Sequence, residues 1–328
     1  MPANRTLAIV TPVLNDWASL AELVREIALQ PTLAEKAITI VAIDDGSAEI
    51  DPPAQDCLTG PIHEIHIVQL NANHGHQRAI ALGLAYVEQN LQPDLVVVMD
   101  SDGEDVPADI GAMLAREETM PGSLIVARRV KRSENLIFKM GYGVYKWVFK
   151  TLTGKPISFG NFSLIPGRRL PNIIYNSGIW NNYAATLLKS RILIEFVPTH
   201  RGKRYHGQSS MNFTSLMLHG FSAISVFTDV VIGRIIIGLL GGSLLAAALI
   251  LTVVFLRLFT DVFVPGYATY VILAVVTILV LTLFTGFLLV LSLLAGRDRE
   301  SAIPSKMLSA MVRKVNKLSL PVEQSLRA

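Results

Sequence analysis

Through residues 7–129, short unbroken apolar runs alternate with amphipathic stretches. Leu7–Val13 (LAIVTPV), Ala37–Asp44 (AITIVAID), Glu64–Leu70 (EIHIVQL), Leu95–Asp100 (LVVVMD) and Ser123–Arg129 (SLIVARR) are too short for helices and rich in β-branched residues. They read as strands buried on both faces. Between them, WASLAELVREIALQ, HQRAIALGLAYVEQNL and ADIGAMLARE carry apolar positions at helical spacing. Strands alternating with helices predict an α/β fold with a mostly parallel sheet covered on both faces. In such sheets ligands collect at the carboxyl ends of the strands. The polar clusters stand at those ends: Asn15-Asp16, Asp44-Asp45-Gly46-Ser47, Asn73-His74-Gly75-His76 and Asp100-Ser101-Asp102.

The pattern changes after residue 230. Between Arg234 and Arg257 lie 22 residues without a charge, and a second uncharged run extends from Asp261 to Arg297. About 20 apolar residues cross a hydrocarbon core of about 30 Å. Two transmembrane helices are predicted, at 234–257 and 268–295, joined by a turn containing Pro265 and Gly266. The alternative is a helical hairpin buried in a soluble core. Two further segments read as membrane-surface helices. In 138–152, Lys139, Lys146 and Lys150 share one helical face, opposite Phe138, Tyr142, Tyr145, Val148, Phe149 and Leu152. The stretch 211–227 is apolar and leads into the first span. The predicted organisation is a soluble unit over 1–210, an interfacial helix over 211–230, the two spans within 231–296 and a basic tail over 297–328.

Composition adds limits. The chain of 328 residues is 51% hydrophobic and 17% charged, too apolar for a wholly soluble protein. A net charge of +3 with scattered basic residues is too small to argue for a nucleic-acid partner, and none is expected. The N-terminal segment lacks the plan of a secretory leader. Basic residues crowd the tail and not the turn, which places tail and soluble unit on the cytoplasmic side of the membrane. The sole cysteine, Cys57, agrees with that compartment.

The chemistry is concentrated in VVVMDSDGEDVP (96–107). Asp100 and Asp102 project to one side of an extended triplet, and a pair of carboxylates so placed suits Mg²⁺ or Mn²⁺ shared with substrate phosphates. No GxGxxG follows the first strand and no GxxxxGK[ST] occurs, so a nucleotide here needs carboxylates and a metal in place of a glycine cradle. Asp44 suits a base or ribose. His74, His76 and His206 read as surface hydrogen-bonding residues.

The stretches TPVLND, AIDDGS, NANHGHQRAIALG, MDSDGEDVP, ARR, GNFSLI and RYHGQSS occur in an order that resembles the family 2 glycosyltransferases of GT-A fold. The likeness is greatest to the polyprenyl-phosphate glycosyltransferases that include dolichol-phosphate mannose synthase. It covers roughly residues 7–230, and the two C-terminal spans match a subgroup. The resemblance implies an enzyme that moves a sugar from a UDP- or GDP-sugar to a polyprenyl phosphate with inversion. It places Pro12, Asp16, Asp44, Asp45 and Gln77 about the donor nucleotide, with Asp100 and Asp102 at its diphosphate and Asp102 on the metal. Arg128, Arg132, Arg204 and Ser209 would gather the acceptor phosphate. Glu104 and Asp105 either lie near the donor sugar or cap a helix beginning near Pro107. The bilayer is an implied partner, and homo-oligomerisation stays open.

Two positions depart from the family pattern. Asp16 stands where the family has Glu. Asn161 stands in a Gly-Asn-Phe where the family often has Gly-Asp-Phe, whose Asp is a candidate general base. Asparagine cannot take a proton in this role, whereas a phosphate monoester, with its second pKa near 6, is already largely dianionic at neutral pH. A lipid phosphate is therefore favoured over a lipid hydroxyl as acceptor. The alternatives are a glycolipid synthase using a lipid hydroxyl and a catalytically silent membrane scaffold.

Overall fold

The computed structural model describes residues 5–129, 136–207, 213–260, 266–297 and 302–319. The chain divides into two units, one made of 1–150, 155–226 and 302–328, the other of 151–154 and 227–301.

The first unit is built on strands β1 (Thr6–Val13), β2 (Ala37–Asp44), β3 (Ile62–Leu70), β4 (Leu95–Val98), β5 (Leu124–Arg129), β6 (Ser163–Pro166), β7 (Ile194–Thr199) and β8 (Val312–Ser319). Their order in the sheet is β7-β5-β6-β4-β1-β2-β3-β8. β1 pairs in parallel with β2 and β4, and β2 with β3. β6 and β8 run antiparallel to their neighbours. This is a mostly parallel α/β sheet, as the alternation of strands and helices predicts. The helices are α1 (Trp17–Ala28), α2 (His76–Asn90), α3 (Asp109–Thr119), α4 (Leu136–Thr153), α5 (Leu170–Ile174), α6 (Tyr183–Lys189), α7 (Phe213–Ser225), α8 (Thr228–Phe259), α9 (Tyr267–Arg297) and α10 (Pro304–Met311). α4 runs from the first unit into the second, which also holds α8 and α9.

Every residue of β4 is buried, as are the last seven of β1 and the last five of β2. That is why these strands read as unbroken apolar runs and not as alternating ones. From β1 the chain steps to β2 and β3 on one side, then crosses to β4 on the other. The reversal leaves a crevice at the carboxyl ends of β1 and β4. Met99 N–H bonds to the Val10 carbonyl (3.1 Å), and Ser101 Oγ donates to the Pro12 carbonyl (3.2 Å). The acidic turn therefore begins at the switch point.

The segment after α9 does not stay a tail. Ala302–Ser319 returns to the first unit, where α10 lies along α2 and β8 adds an edge strand beside β3. Asn71, just past β3, donates its N–H to the Met311 carbonyl (2.9 Å) and Nδ2 to the Ala310 carbonyl (3.0 Å). The polar alternation of VRKVNKLS suits a half-solvated edge strand, but its partner lies some 240 positions earlier and leaves no local signal.

In the second unit, α8 and α9 are both long and apolar enough to cross a membrane. Only Ile232 and Val253 of α8 are buried, while Leu244 is 73% and Tyr270 75% exposed. A helix packed in a soluble core would hide these side chains, so the outward apolar surface favours a bilayer as its surroundings. Arg234 donates Nη1 to the Thr151 carbonyl (2.5 Å).

The 138–152 segment departs from the expected surface helix. Within its described side chains, Phe149 is fully buried and Tyr145 packs against Phe149 at 5.9 Å, whereas Val144 and Trp147 are exposed beside Lys146 and Lys150. Of the apolar face taken as membrane-facing, Phe149 is thus packed inside the protein. On α7, Leu218 and Phe221 are exposed.

Candidate active site

Four loops meet at the crevice. After β1, Asn15 adopts φ 53°, a conformation asparagine tolerates. Its side chain accepts from Ala48 N–H (2.8 Å), and its own N–H reaches Ser47 Oγ (2.8 Å). After β2, Asp44 accepts from Ser47 N–H (2.9 Å). Asp45 accepts from His74 N–H (2.7 Å) and Gly75 N–H (2.9 Å), tying the third loop to the second. Burial nevertheless raises the Asp45 pKa above its ordinary value, against these two bonds. Gly46 (φ +82°) has no room for a side chain, since a Cβ would come within 2.9 Å of Asn73 N. Asp16 precedes α1 without a side-chain cap bond.

The fourth loop is the acidic turn, and its repulsion is divided among separate cations. Asp100 Oδ1 lies 3.3 Å from His76 Nε2. Asp102 Oδ2 lies 2.7 Å from Arg204 Nη2. Glu104 binds Arg201, Arg204 Nε (2.9 Å) and Arg129 Nη1 (3.6 Å). Asp105, 6% exposed, accepts from Asp100 N–H (3.1 Å) and faces Arg129 Nη2 (3.3 Å). Burial and then the Asp100 charge push Asp105 up to about 7. For Asp100, burial acts upward, but His76, Arg129 and a hydrogen bond from Asn161 hold the pKa below the usual carboxylate value. Burial lifts Asp102, with Asp100 adding to the rise. His76 is held above the ordinary imidazole value because the carboxylates of Asp100, Asp102 and Asp105 outweigh its burial.

The turn is braced from one side by residues 202–205. Gly202 N–H donates to the Glu104 carbonyl (3.0 Å) and Tyr205 N–H to the Asp102 carbonyl (2.9 Å). Gly103 (φ +87°) permits this approach, because a Cβ there would lie 2.8 Å from the Lys203 carbonyl oxygen. From the other side comes a chain of amides. Tyr183 N–H donates to Gln77 Oε1 (2.6 Å), and Gln77 Nε2 donates to Asn161 Oδ1 (3.3 Å). A backbone N–H can only donate, so the order of these bonds is set and the Asn161 NH₂ is turned toward Asp100. It also meets His76 Nε2 (2.9 Å), which accepts from it when unprotonated and donates to Asp100 when protonated.

The residues expected from sequence are thus distributed unevenly. Pro12 and Asp44 lie at the carboxyl ends of β1 and β2, and Gln77 in the first turn of α2. Asp45, Asp100, Asp102 and Arg204 lie on the interlocked loops, with Asp16 at the end of the first. Arg128 does not join the acids. Successive residues of a strand face opposite ways, so Arg129 enters the cluster while Arg128 stacks over the Phe196 ring at 5.4 Å. Arg132 and Ser209 lie outside the described residues. Sequence reasoning missed Arg129, Arg201 and the position of His76. Neither Glu104 nor Asp105 caps α3, whose N-terminus at Ala108 has no side-chain cap.

Among the described residues no three His, Cys, Asp or Glu side chains form a ready metal cage. The donor set instead fits a cation that arrives with phosphates. Asp100 Oδ1 is shielded from solvent with His76 Nε2 at 3.3 Å, and a carboxylate oxygen so placed still has lone pairs for a further ligand. A hard divalent cation held by one or two carboxylates takes its remaining oxygens from substrate and water.

Loops at the switch point of such a sheet, with an Asp-x-Asp turn, suit a phosphate-bearing ligand that arrives with a divalent cation. Residues 8–178 match the family described as glycosyl transferase family 2, and the chain belongs to that family. Among curated relatives, the undecaprenyl-phosphate 4-deoxy-4-formamido-L-arabinose transferase of Enterobacter sp. (strain 638) is 26% identical over 263 residues, covering 77% of this chain and 78% of the relative. The enzyme of the same description from Salmonella choleraesuis (strain SC-B67) is 25% identical over 233 residues, 68% of each. Among solved structures, glucosyl-3-phosphoglycerate synthase from Mycobacterium tuberculosis in complex with Mn²⁺, UDP and glucosyl-3-phosphoglycerate aligns with a TM-score of 0.48 at 16% identity, over 70% of this chain and 80% of that one. The chain is a glycosyltransferase.

Proposed function

We propose that this glycosyltransferase is anchored by α8 and α9 and moves a sugar from a UDP- or GDP-sugar to a polyprenyl phosphate at the cytoplasmic membrane face, with inversion at the anomeric carbon. The observation that carries the reading is Asn161. At the position where a general base would stand, the chain holds an amide whose oxygen is committed to Gln77 and whose NH₂ faces Asp100. It can donate but cannot accept a proton. An acceptor hydroxyl would need a base, whereas a phosphate oxygen is already anionic and needs only positioning. The names of the relatives support the same acceptor.

In this reading the loops carrying Pro12, Asp16, Asp44 and Asp45 hold the nucleotide, and Gln77 keeps the amide chain in place beside the sugar. Asp102, helped by Asp100, would hold Mg²⁺ or Mn²⁺. When bound, that ion neutralises charge developing on the leaving diphosphate. Arg204, with Arg128, Arg132 and Ser209, positions the acceptor phosphate so that one oxygen attacks the anomeric carbon. The C–O bond to the diphosphate breaks on the opposite face, and no proton needs to move. α7 begins close to the first span in sequence, and its exposed Leu218 and Phe221 suit the headgroup–acyl boundary.

The test offers purified enzyme a matched pair of acceptors, polyprenol and polyprenyl phosphate, with and without a chelator. Product on the phosphate alone, lost with the chelator, is expected. Transfer to the alcohol but not to the phosphate would overturn the reading.

A further inference from the structure

Arg204 holds two carboxylates with different edges of one guanidinium. Nη2 lies 2.7 Å from Asp102 Oδ2, and Nε donates to Glu104 Oε1 at 2.9 Å. The backbone beneath it is clamped to the same turn through Gly202 and Tyr205, so Arg204 cannot leave by moving its loop without breaking those bonds. Its side chain is the movable part.

The carboxylate that Arg204 holds is the one assigned above to the donor's metal. Asp102 Oδ1 already accepts Glu104 N–H (2.9 Å) and Oδ2 holds Arg204, so a divalent cation arriving at Asp102 competes with the guanidinium, whose positive charge repels it. We infer that Arg204 is the resident counter-cation of Asp102 in the donor-free protein, and that arrival of the donor with its metal displaces Nη2 while Nε stays on Glu104. The inference rests on the metal reading of Asp102.

The charge balance says what the released guanidinium does next. With Asp102 taken by the metal, Arg204 keeps only Glu104, through Nε, an acid it already shares with Arg201 and Arg129, and its Nη edge has lost its carboxylate. The surplus positive charge sits on the freed Nη edge of Arg204, a planar pair of donors suited to a phosphate. Before the donor binds, that charge is cancelled. The acceptor phosphate is therefore recognised well only after the donor, which keeps the dianionic nucleophile out of an empty site. Coupling of this kind is reciprocal, so bound acceptor also tightens the donor's metal.

The experiment measures Mn²⁺ binding to full-length protein in detergent micelles from the free-ion paramagnetic resonance signal, without substrate or turnover. Arg204→Gln and Arg204→Lys are compared with wild type, and Asp102→Asn marks the site. Lysine keeps the charge but lacks the fork that holds both carboxylates. Both Arg204 variants are expected to bind Mn²⁺ about threefold to tenfold more tightly than wild type, the glutamine more so. If Asp102→Asn abolishes binding but Arg204→Lys matches wild type, the inference is overturned and the metal reading stands. If no protein shows binding that depends on Asp102, both fall.

Discussion

Asp105 Oδ2 accepts the backbone N–H of Asp100 at 3.1 Å, so one acid of the turn holds the backbone of another. The second oxygen of Asp105 faces Arg129 at 3.3 Å. Crowding in this turn is thus a scaffold as well as a charge cluster: the buried Asp105 shapes the loop that presents Asp100 and Asp102.

That placement sets a pH dependence. Burial and the Asp100 charge push Asp105 up to about 7, above the ordinary carboxylate value of 3.8. Between those two values the folded protein keeps a proton that the unfolded chain has released, so the contribution of this group to stability falls as pH rises through the window. Asp105→Asn lacks the titration. Its melting temperature relative to wild type is expected to climb from about pH 4 to about pH 7 and to level off above that. A difference that stays constant with pH would contradict the assignment.

Asn161 gives a second prediction. Asn161→Asp would restore the carboxylate common in the family and could still accept from Gln77, but here it would set a further negative charge beside Asp100 in place of the NH₂ that faces it. The variant is expected to lose about tenfold or more in kcat/KM for polyprenyl phosphate and to gain no transfer to a lipid alcohol. Activity equal to wild type would show that the amide chain is incidental.

The return of the chain after α9 gives a third. Removing 302–328 takes away β8, uncovers the β3 edge and leaves the Asn71 donors without their carbonyls. Exposed strand edges promote aggregation, so the truncated protein is expected to melt lower and aggregate on concentration. Asn71→Ala isolates the loop effect. Because Asn71 also meets His74 at 2.9 Å, beside the backbone tied to Asp45, it should raise the donor KM about threefold to tenfold with little change in kcat. A truncated protein that melts like wild type would contradict the structural role of the tail.

What could be read from sequence, and what could not, follows physical lines. β1, β2 and β4 announce themselves because both faces are buried, and the polar residues after them mark the ligand edge. β8 pairs across most of the chain, and β6 and β7 are short, so local pattern says little about them. In the site, Asp100 and Asp102 stand out by spacing alone. Arg129 does not, because two consecutive arginines on a strand face opposite ways and sequence does not say which faces the acids. His76 and Asn161 meet only when α2 and the segment before β6 are brought to one edge.

Membrane topology offers a fourth prediction. Pairing of β8 with β3 puts the segment after the spans with the sheet, and a two-helix hairpin then has its turn across the membrane. In a Cys57→Ser background, Ser319→Cys and Thr260→Cys are expected to label from opposite sides in sealed vesicles with a membrane-impermeant maleimide. Labelling of both from one side would contradict two spans.

The central claim is that sugar moves from a nucleotide donor to a lipid phosphate with Asp102 at the diphosphate. The most direct measurement is a panel of UDP- and GDP-sugars offered with undecaprenyl phosphate to wild type and Asp102→Ala, reading lipid-linked sugar by mass spectrometry. The account expects one donor to give a polyprenyl-phosphate monosaccharide with wild type, and a loss of at least about a hundredfold in the variant. Product formed equally by both proteins, or none from the panel with wild type, would contradict it.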